Sequence, residues 1–223
     1  MKTAGAIRFF RDQRGGVAVE FVALLPAFLF LTFFVFDTVI AVVWIGTVEK
    51  AAQVGARMAV VSSLAVTGLP SKNPILGTAL PGSNCRLVPP ETAPDPCNGG
   101  FATRTCTAGS GTGSGPDCDD AGFTPIFNRM DAVANVLVRR NVTISYEYVG
   151  LGFANGPIVP RVTVTVGSVG GVGLAVPYNT FTSSILAALM TTATGANDFP
   201  GLTTMPPVVA TFTGEDLSSL GAS

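Results

Sequence analysis

The sequence predicts an α+β protein, in which one long N-terminal membrane helix extends into a small extracytoplasmic head with an antiparallel sheet and a Cys-rich loop. An apolar run over residues 16–48 indicates the helix. Two later runs that alternate apolar and polar residues indicate strands with one buried face. Between these regions lies a stretch rich in Gly, Pro and Ser, which holds all four cysteines.

We divide the chain of 223 residues into four segments. Residues 1–15 form a basic leader, and residues 16–66 form a transmembrane helix that continues beyond the membrane. Residues 67–122 form a Gly/Pro/Cys-rich loop region, and residues 123–223 form the α+β head. Once the membrane segment is subtracted, the remaining length allows one moderate globular unit.

Composition argues against several classes of function. Lys plus Arg at 13 against Asp plus Glu at 14 gives a net charge of −1, and no basic patch beyond the N-terminus would attract nucleic acid. The chain contains no histidine, which removes Ser/His/Asp and Cys/His nucleophilic sites and His-ligated zinc. We therefore expect no enzyme activity, no catalytic residue, no metal site and no cofactor.

The leader sets the predicted topology. Around its single acid lie four basic residues: Lys2, Arg8, Arg11 and Arg14. By the positive-inside bias this end stays in the cytoplasm, and the head lies outside. A cleavable secretory signal is the competing interpretation, but its apolar region spans only about 7–15 residues. As a helix, the run found here is about 50 Å long, enough to cross a hydrocarbon core of about 30 Å and protrude.

Few polar residues interrupt this run. Glu20 lies just inside its start, and Pro26 removes one backbone donor and loosens the helix. Asp37 falls near the far boundary of the hydrocarbon, where an interfacial position explains it, and Trp44 suits the same interface as an anchor. Beyond the membrane, Ala51, Gly55 and Ala59 form a small-residue row that allows close helix packing, either on neighbouring subunits or on the chain's own head.

The order of basic leader, glycine, short apolar stretch, Glu, Phe and long apolar helix resembles the type IV prepilin class. The closer resemblance is to the TadE-like pseudopilins of the tight adherence (Tad/Flp) pilus system. The stretch AAQVGARMAV after the membrane run is also similar to that family's AAREGAR-like segment, although Val54 stands where the family often carries Glu.

This resemblance implies a processing site. In the family, a prepilin peptidase on the cytoplasmic side cuts after a glycine, and the fifth residue of the mature chain is Glu. Applied to GGVAVEF, the cut falls between Gly15 and Gly16, with Glu20 fifth and Phe21 sixth. A cut after Gly16 would place Glu20 fourth, outside the pattern. The freed α-amino group, in the same or a neighbouring subunit, could neutralise Glu20 as helices assemble.

The resemblance further implies a minor pseudopilin that supports assembly of an adhesive Flp-type pilus from the bacterial inner membrane. Its implied partners are the prepilin peptidase, other pilins or pseudopilins, the inner-membrane assembly platform and membrane lipid. Two alternatives stay open. One is a secretion-system pseudopilin, and the other is an uncleaved single-pass anchor that binds a surface ligand, with Glu20 in the headgroup layer.

The cysteines predict disulfides. Cys85, Cys97, Cys106 and Cys118 include no C-x-x-C pair, which weakens zinc and thioredoxin-like interpretations. In an extracytoplasmic head they form two disulfides. Among three possible pairings we favour the local one, Cys85 with Cys97 and Cys106 with Cys118, because short loops close most readily. The acidic residues beside Cys118 lack the EF-hand pattern and indicate a solvated turn.

In the head, Thr124 and Pro125 predict the start of a helix whose apolar residues recur as far as Leu137. Strands follow over 141–149, 161–166 and 208–212. Residues 178–189 suit a short helix or an apolar edge strand, and 215–223 a frayed end. The cluster Tyr146, Glu147, Tyr148 does not indicate catalysis, because alternation along a strand turns Glu147 away from both tyrosines.

Overall fold

The computed structural model describes residues 16–77, 79–85, 94–109, 117–169, 173, 175–177 and 205–214. The predicted leader and the segments 178–189 and 215–223 lie outside these residues. Contacts divide the chain into an N-terminal unit, described over 16–43, and a head unit that begins at Trp44. The predicted α+β class is confirmed by one long helix, a four-stranded antiparallel sheet and two disulfides.

Helix α1 spans Gly16–Val61. Within it, Val19–Val61 is long and apolar enough to cross a membrane. In the N-terminal unit most apolar side chains are exposed, while the hydroxyls of Thr32 and Thr38 donate to the carbonyls of Phe28 and Phe34 at 2.9 and 2.8 Å. Both hydroxyls are thus satisfied within the helix, as a hydrocarbon environment requires.

The helix ends at Val61, short of the predicted residue 66. Ser62 makes a further backbone bond to Met58, and Ala65 then donates its N–H to the hydroxyl of Tyr146 at 3.3 Å. Val66 forms a β-bridge with Cys118. The chain leaves the helix because its backbone groups are taken up by the sheet and by the segment before the second helix.

The sheet has the order β1-β2-β3-β4, with every neighbouring pair antiparallel. Its strands are Arg104–Thr107, Val142–Tyr148, Pro160–Val166 and Val208–Thr213. The last three confirm the predicted strands. Strand β1 is a correction, because it lies inside the segment 67–122 that was predicted to be irregular.

The core lies between the inner face of the sheet, the head portion of α1 and helix α2, which spans Asp120–Asp131. The sheet contributes fully buried Val142, Ile144, Tyr146, Val162, Val164 and Val166. Helix α1 contributes Val48, Ala51, Ala52, Ala56 and Ala59, and α2 contributes Phe123, Ile126 and Met130. As predicted, Val142, Ile144, Tyr146 and Tyr148 share the buried face.

Helix α2 begins four residues before the predicted Thr124. Asp119 caps it, and its Oδ1 accepts the N–H of Ala121 at 3.0 Å. A carboxylate at an N-cap typically accepts such a hydrogen bond from the first turn of the helix. Pro125 therefore lies inside the helix rather than in its first turn. The helix also ends at Asp131, so the buried Leu137 belongs to the following loop.

Two disulfides join the cysteines in the local pairing favoured from the sequence, Cys85–Cys97 and Cys106–Cys118. The second ties β1 to the residue before the α2 cap. Each loop has a sequence separation of 12, so the chain-entropy model gives each bond about 3 kcal/mol of stabilisation.

Gly122 provides a test of the packing between α2 and the end of α1. A Cβ at this position would collide with the backbone carbonyl of Leu64, which cannot rotate away. We expect Gly122→Ala to lower the free energy of unfolding by about 1–3 kcal/mol, the usual cost of overpacking. Denaturant unfolding of the purified chain measures it.

The matched control is Gly46→Ala, since Gly46 is also helical and has nothing within 4 Å of its added Cβ. It should leave stability unchanged or raise it by up to about 1 kcal/mol, because alanine favours helix. If both substitutions changed the free energy of unfolding equally, the close contact between Gly122 and the Leu64 carbonyl would be contradicted.

Two buried tyrosines predict alkaline destabilisation. Burial raises the pKa of Tyr146 to about 12, and burial together with the Asp95 carboxylate raises the pKa of Tyr148 further above its ordinary value. Both phenols keep their protons in the folded head, while in the unfolded chain they ionise near pH 10.0. Stability is therefore complete below about pH 10 and falls as the pH rises toward about 12.

Denaturant unfolding across this pH range should show a decline of up to about 1.4 kcal/mol per pH unit for each tyrosine. Tyr146→Phe removes one ionising group and should make the decline shallower, even though the variant also loses the acceptor for Ala65. A flat profile in the wild-type chain would refute the burial of these hydroxyls.

Candidate functional site

The N-terminal turns of α1 carry the residues predicted to act in assembly. The structure describes α1 from Gly16, and Gly15 lies outside the described residues, so the structure does not test the bond between them. Glu20 is exposed and Phe21 is 65% exposed. No described basic side chain pairs with Glu20. It therefore presents a carboxylate at the start of a long apolar surface, where a charge is retained mainly for a function.

Asp37, predicted to lie near the far boundary of the hydrocarbon, is only 8% exposed, while the nearby apolar side chains of Phe36 and Val39 are 62% and 57% exposed. Its carboxyl group differs in this respect from that of Glu20. Glu20 remains the exposed carboxylate of the described N-terminal unit.

The small-residue row packs inside the head. Ala51 and Ala59 are fully buried, and Gly55 is also buried. The side chain of Met130 occupies the space that a Gly55 side chain would need. Spacing alone left the partner of this row open, and in the structure it faces the chain's own core. Trp44, predicted as an interfacial anchor, also packs on that core.

The tyrosines of β2 and Glu147 lie on opposite faces of the sheet, as alternation along the strand predicts. Glu147 lies on the opposite face of the sheet and accepts a hydrogen bond from Arg161 at 2.6 Å. Tyr148 donates its hydroxyl to the Asp95 carboxylate at 2.8 Å. Each contact joins two separate segments of the head.

Asp95 holds a turn of the head together, a role that was not predicted from the sequence. Its carboxylate accepts the N–H groups of Cys97 and Gly99, both at 3.0 Å, as well as the Tyr148 hydroxyl. The run DPCNGG could have signalled this turn, because Asp often accepts from backbone two residues on. Asp95 and the sulfurs of Cys85 and Cys97 lie within 4.8 Å of one another, but the disulfide and these hydrogen bonds leave no metal-binding set.

The acidic residues beside Cys118 are also engaged in structure. Asp119 caps α2, and Asp120 pairs with Arg139 at 2.6 Å. The Arg139 guanidinium in turn lies 4.8 Å from the centroid of the Phe123 ring. The sequence predicts a solvated acidic turn here, and the structure gives two of its carboxylates structural partners.

The family model for TadE-like protein matches residues 15–57. No curated protein and no solved structure matches the chain. The matched segment includes Gly15, Gly16, Glu20, Phe21 and the first part of the small-residue row, and it ends before Ala59 and the sheet. Over residues 15–57 the chain is therefore similar to TadE-like protein, as its N-terminal motif predicts.

Proposed function

We propose that this protein is a minor pseudopilin that supports assembly of a Tad/Flp-type adhesive pilus. The observation that carries the proposal is the family match over residues 15–57. It coincides with an apolar helix whose exposed surface begins with one exposed carboxylate, Glu20. Such a helix can hold the protein in the membrane and dock on the helix of another subunit.

Maturation in this scheme is hydrolysis of the bond between Gly15 and Gly16 by a prepilin peptidase. One water molecule is consumed, the leader leaves with a new carboxylate, and Gly16 acquires a free α-amino group that is protonated near neutral pH. The apolar helix keeps the mature chain in the membrane after the basic leader has gone. The register of the cut is supported by the motif, in which Glu20 is then the fifth residue.

The new ammonium group and Glu20 complement each other. An exposed carboxylate at the membrane edge is costly to desolvate and gains most from a cation that approaches in the same low-dielectric layer. Gly16 and Glu20 are four residues apart, about 6 Å along a helix axis. An ammonium group on a neighbouring helix would therefore lie level with Glu20 when the two helices are offset by about that distance.

We place the protein in the bacterial inner membrane with its N-terminus in the cytoplasm and its head outside. The basic leader supports this orientation. The two disulfides also support it, because such bonds persist in oxidising compartments. Its partners in the proposal are the prepilin peptidase, other pilins or pseudopilins and the inner-membrane assembly platform.

The processing register can be tested by mass spectrometry of the protein purified from membranes. In cells that contain the peptidase, the mature chain should begin at Gly16, because this start places Glu20 fifth. The same strain without the peptidase is the control, and its chain should keep the leader. A chain that begins at Met1 in both strains would support the uncleaved-anchor alternative, and one that begins at Val17 would contradict the register.

The role of Glu20 can be tested by counting pili. Glu20→Ala should insert into the membrane normally and reduce assembled pili at least about tenfold, the factor that 1.4 kcal/mol per docking contact would produce. Glu20→Gln keeps the size and removes the charge, so it should behave similarly. Electron microscopy and a shearing assay measure the pili, and fractionation measures insertion.

The matched control is Glu147→Ala, which removes a half-exposed carboxylate whose ion pair with Arg161 contributes little. It should leave piliation unchanged. Wild-type piliation in Glu20→Ala cells would refute the docking role. Normal piliation together with altered protein secretion would instead favour the secretion-system alternative.

A further inference from the structure

Strand β4 (Val208–Thr213) forms one edge of the sheet. Its sequence, VVATFT, is rich in β-branched residues and contains no charge, and Val209 is 55% exposed. Sheet edges are normally protected by lysine, proline or a bulge within the strand. The opposite edge, β1, is short and carries a disulfide. Within the described residues, β4 is thus the open edge of this head.

The register shows which backbone groups of β4 point outward. Gly214 donates its N–H to the carbonyl of Pro160 at 2.7 Å, so this pair is a hydrogen-bonded one. Such pairs alternate along an antiparallel ladder. Val208, Ala210 and Phe212 therefore bond to β3. The N–H and C=O groups of Val209, Thr211 and Thr213 face away from the sheet.

A groove lies beside this edge. It has a volume of about 410 Å³ and is bounded by Ile45, Glu49 and Gln53 of α1 and by residues 206–210. Farther along, the Arg57 guanidinium lies 5.8 Å from the centroid of the Phe212 ring, so α1 follows the strand. A segment added to β4 would direct alternate side chains onto this wall of α1.

The part of this wall that lines the groove carries a negative charge, whereas farther along Arg57 places a positive charge beside Phe212. Glu49 is exposed, and it forms no ion pair with the described part of the chain. The other residues that line the groove are neutral. A basic side chain on an added strand would complement Glu49, while an acidic one would be repelled.

We propose that β4 and this groove bind an extended segment of a partner protein, which adds a strand to the sheet and places a Lys or Arg side chain against Glu49. Backbone hydrogen bonds to Val209, Thr211 and Thr213 supply the binding, and Glu49 supplies the selectivity, as in other cases of strand addition. This inference goes beyond the proposed function and concerns a surface whose strand, β4, lies outside the family match, while Glu49 lies within it.

The test uses the full chain in detergent micelles and a synthetic acetylated peptide, Thr-Val-Lys-Val-Thr-Val, with an otherwise identical peptide that carries Glu in place of Lys. The Lys peptide should slow hydrogen exchange at the amides of Val209, Thr211 and Thr213. The amides of Val208, Ala210 and Phe212, already bonded to β3, serve as internal controls. Because this assay needs neither the peptidase nor a pilus, it can fail while the proposed function stands.

Thr211→Pro removes one outward N–H without breaking a bond to β3, which an edge strand tolerates. It should weaken binding of the Lys peptide at least about tenfold, whereas Thr211→Val, which keeps the N–H, should not. Glu49→Gln should weaken binding of the Lys peptide by up to about fivefold, the upper value expected for an exposed ion pair, and should not weaken binding of the Glu peptide.

Several results would overturn the proposal. One is unchanged exchange at the three outward amides, and another is equal affinity for the Lys and Glu peptides. Unaltered binding in Glu49→Gln would also refute the charge assignment. Light scattering that shows a dimer, dissociated by Thr211→Pro, would show that the occupant is a second copy of this chain.

Discussion

The fold depends on the close approach of α1 to the rest of the head. Ala51, Ala52, Ala56 and Ala59 bury little apolar area individually, but they let the sheet and α2 come near the helix backbone, and Met130 fills the space beside Gly55. The Ala65 N–H then donates to the buried Tyr146 hydroxyl and holds the end of the helix against β2. Leucines in these positions would move α1 outward and separate it from the sheet.

The irregular segment after α1 is held mainly by covalent and polar links. Two disulfides close its loops, and Asp95 organises the turn around Cys97 through three accepted hydrogen bonds. Buried Asn73 donates its side-chain amide to the carbonyls of Phe153 and Pro157 at 3.3 and 3.1 Å. Such links suit a segment whose glycines and prolines cannot bury enough apolar surface to offset the entropy of ordering it.

The sequence predicted secondary structure best where the spacing of apolar residues is enough to determine it. Alternation identified β2 and β3 and their buried faces, since a strand has only two faces. Strand β1 was missed because its four residues, RTCT, are ordered by pairing with β2, which local sequence does not reveal. Helix α2 starts at an Asp cap that precedes the more conspicuous Thr124–Pro125 pair. The partner of the small-residue row was undecidable, because spacing shows which residues share a helix face and not what covers them.

The two proposals assign different tasks to the two parts of the chain. Residues 15–57 match the TadE-like family and contain every residue of the proposed processing and docking step. A helix that docks through one ion pair and a broad apolar surface has little means of distinguishing its partners, because lipid and other helices are equally apolar. An open strand edge beside a single carboxylate is far more selective, since it requires an extended backbone and rejects a like charge. In this scheme the N-terminal part of α1 provides attachment, and the head, at β4 and Glu49, determines which protein is bound.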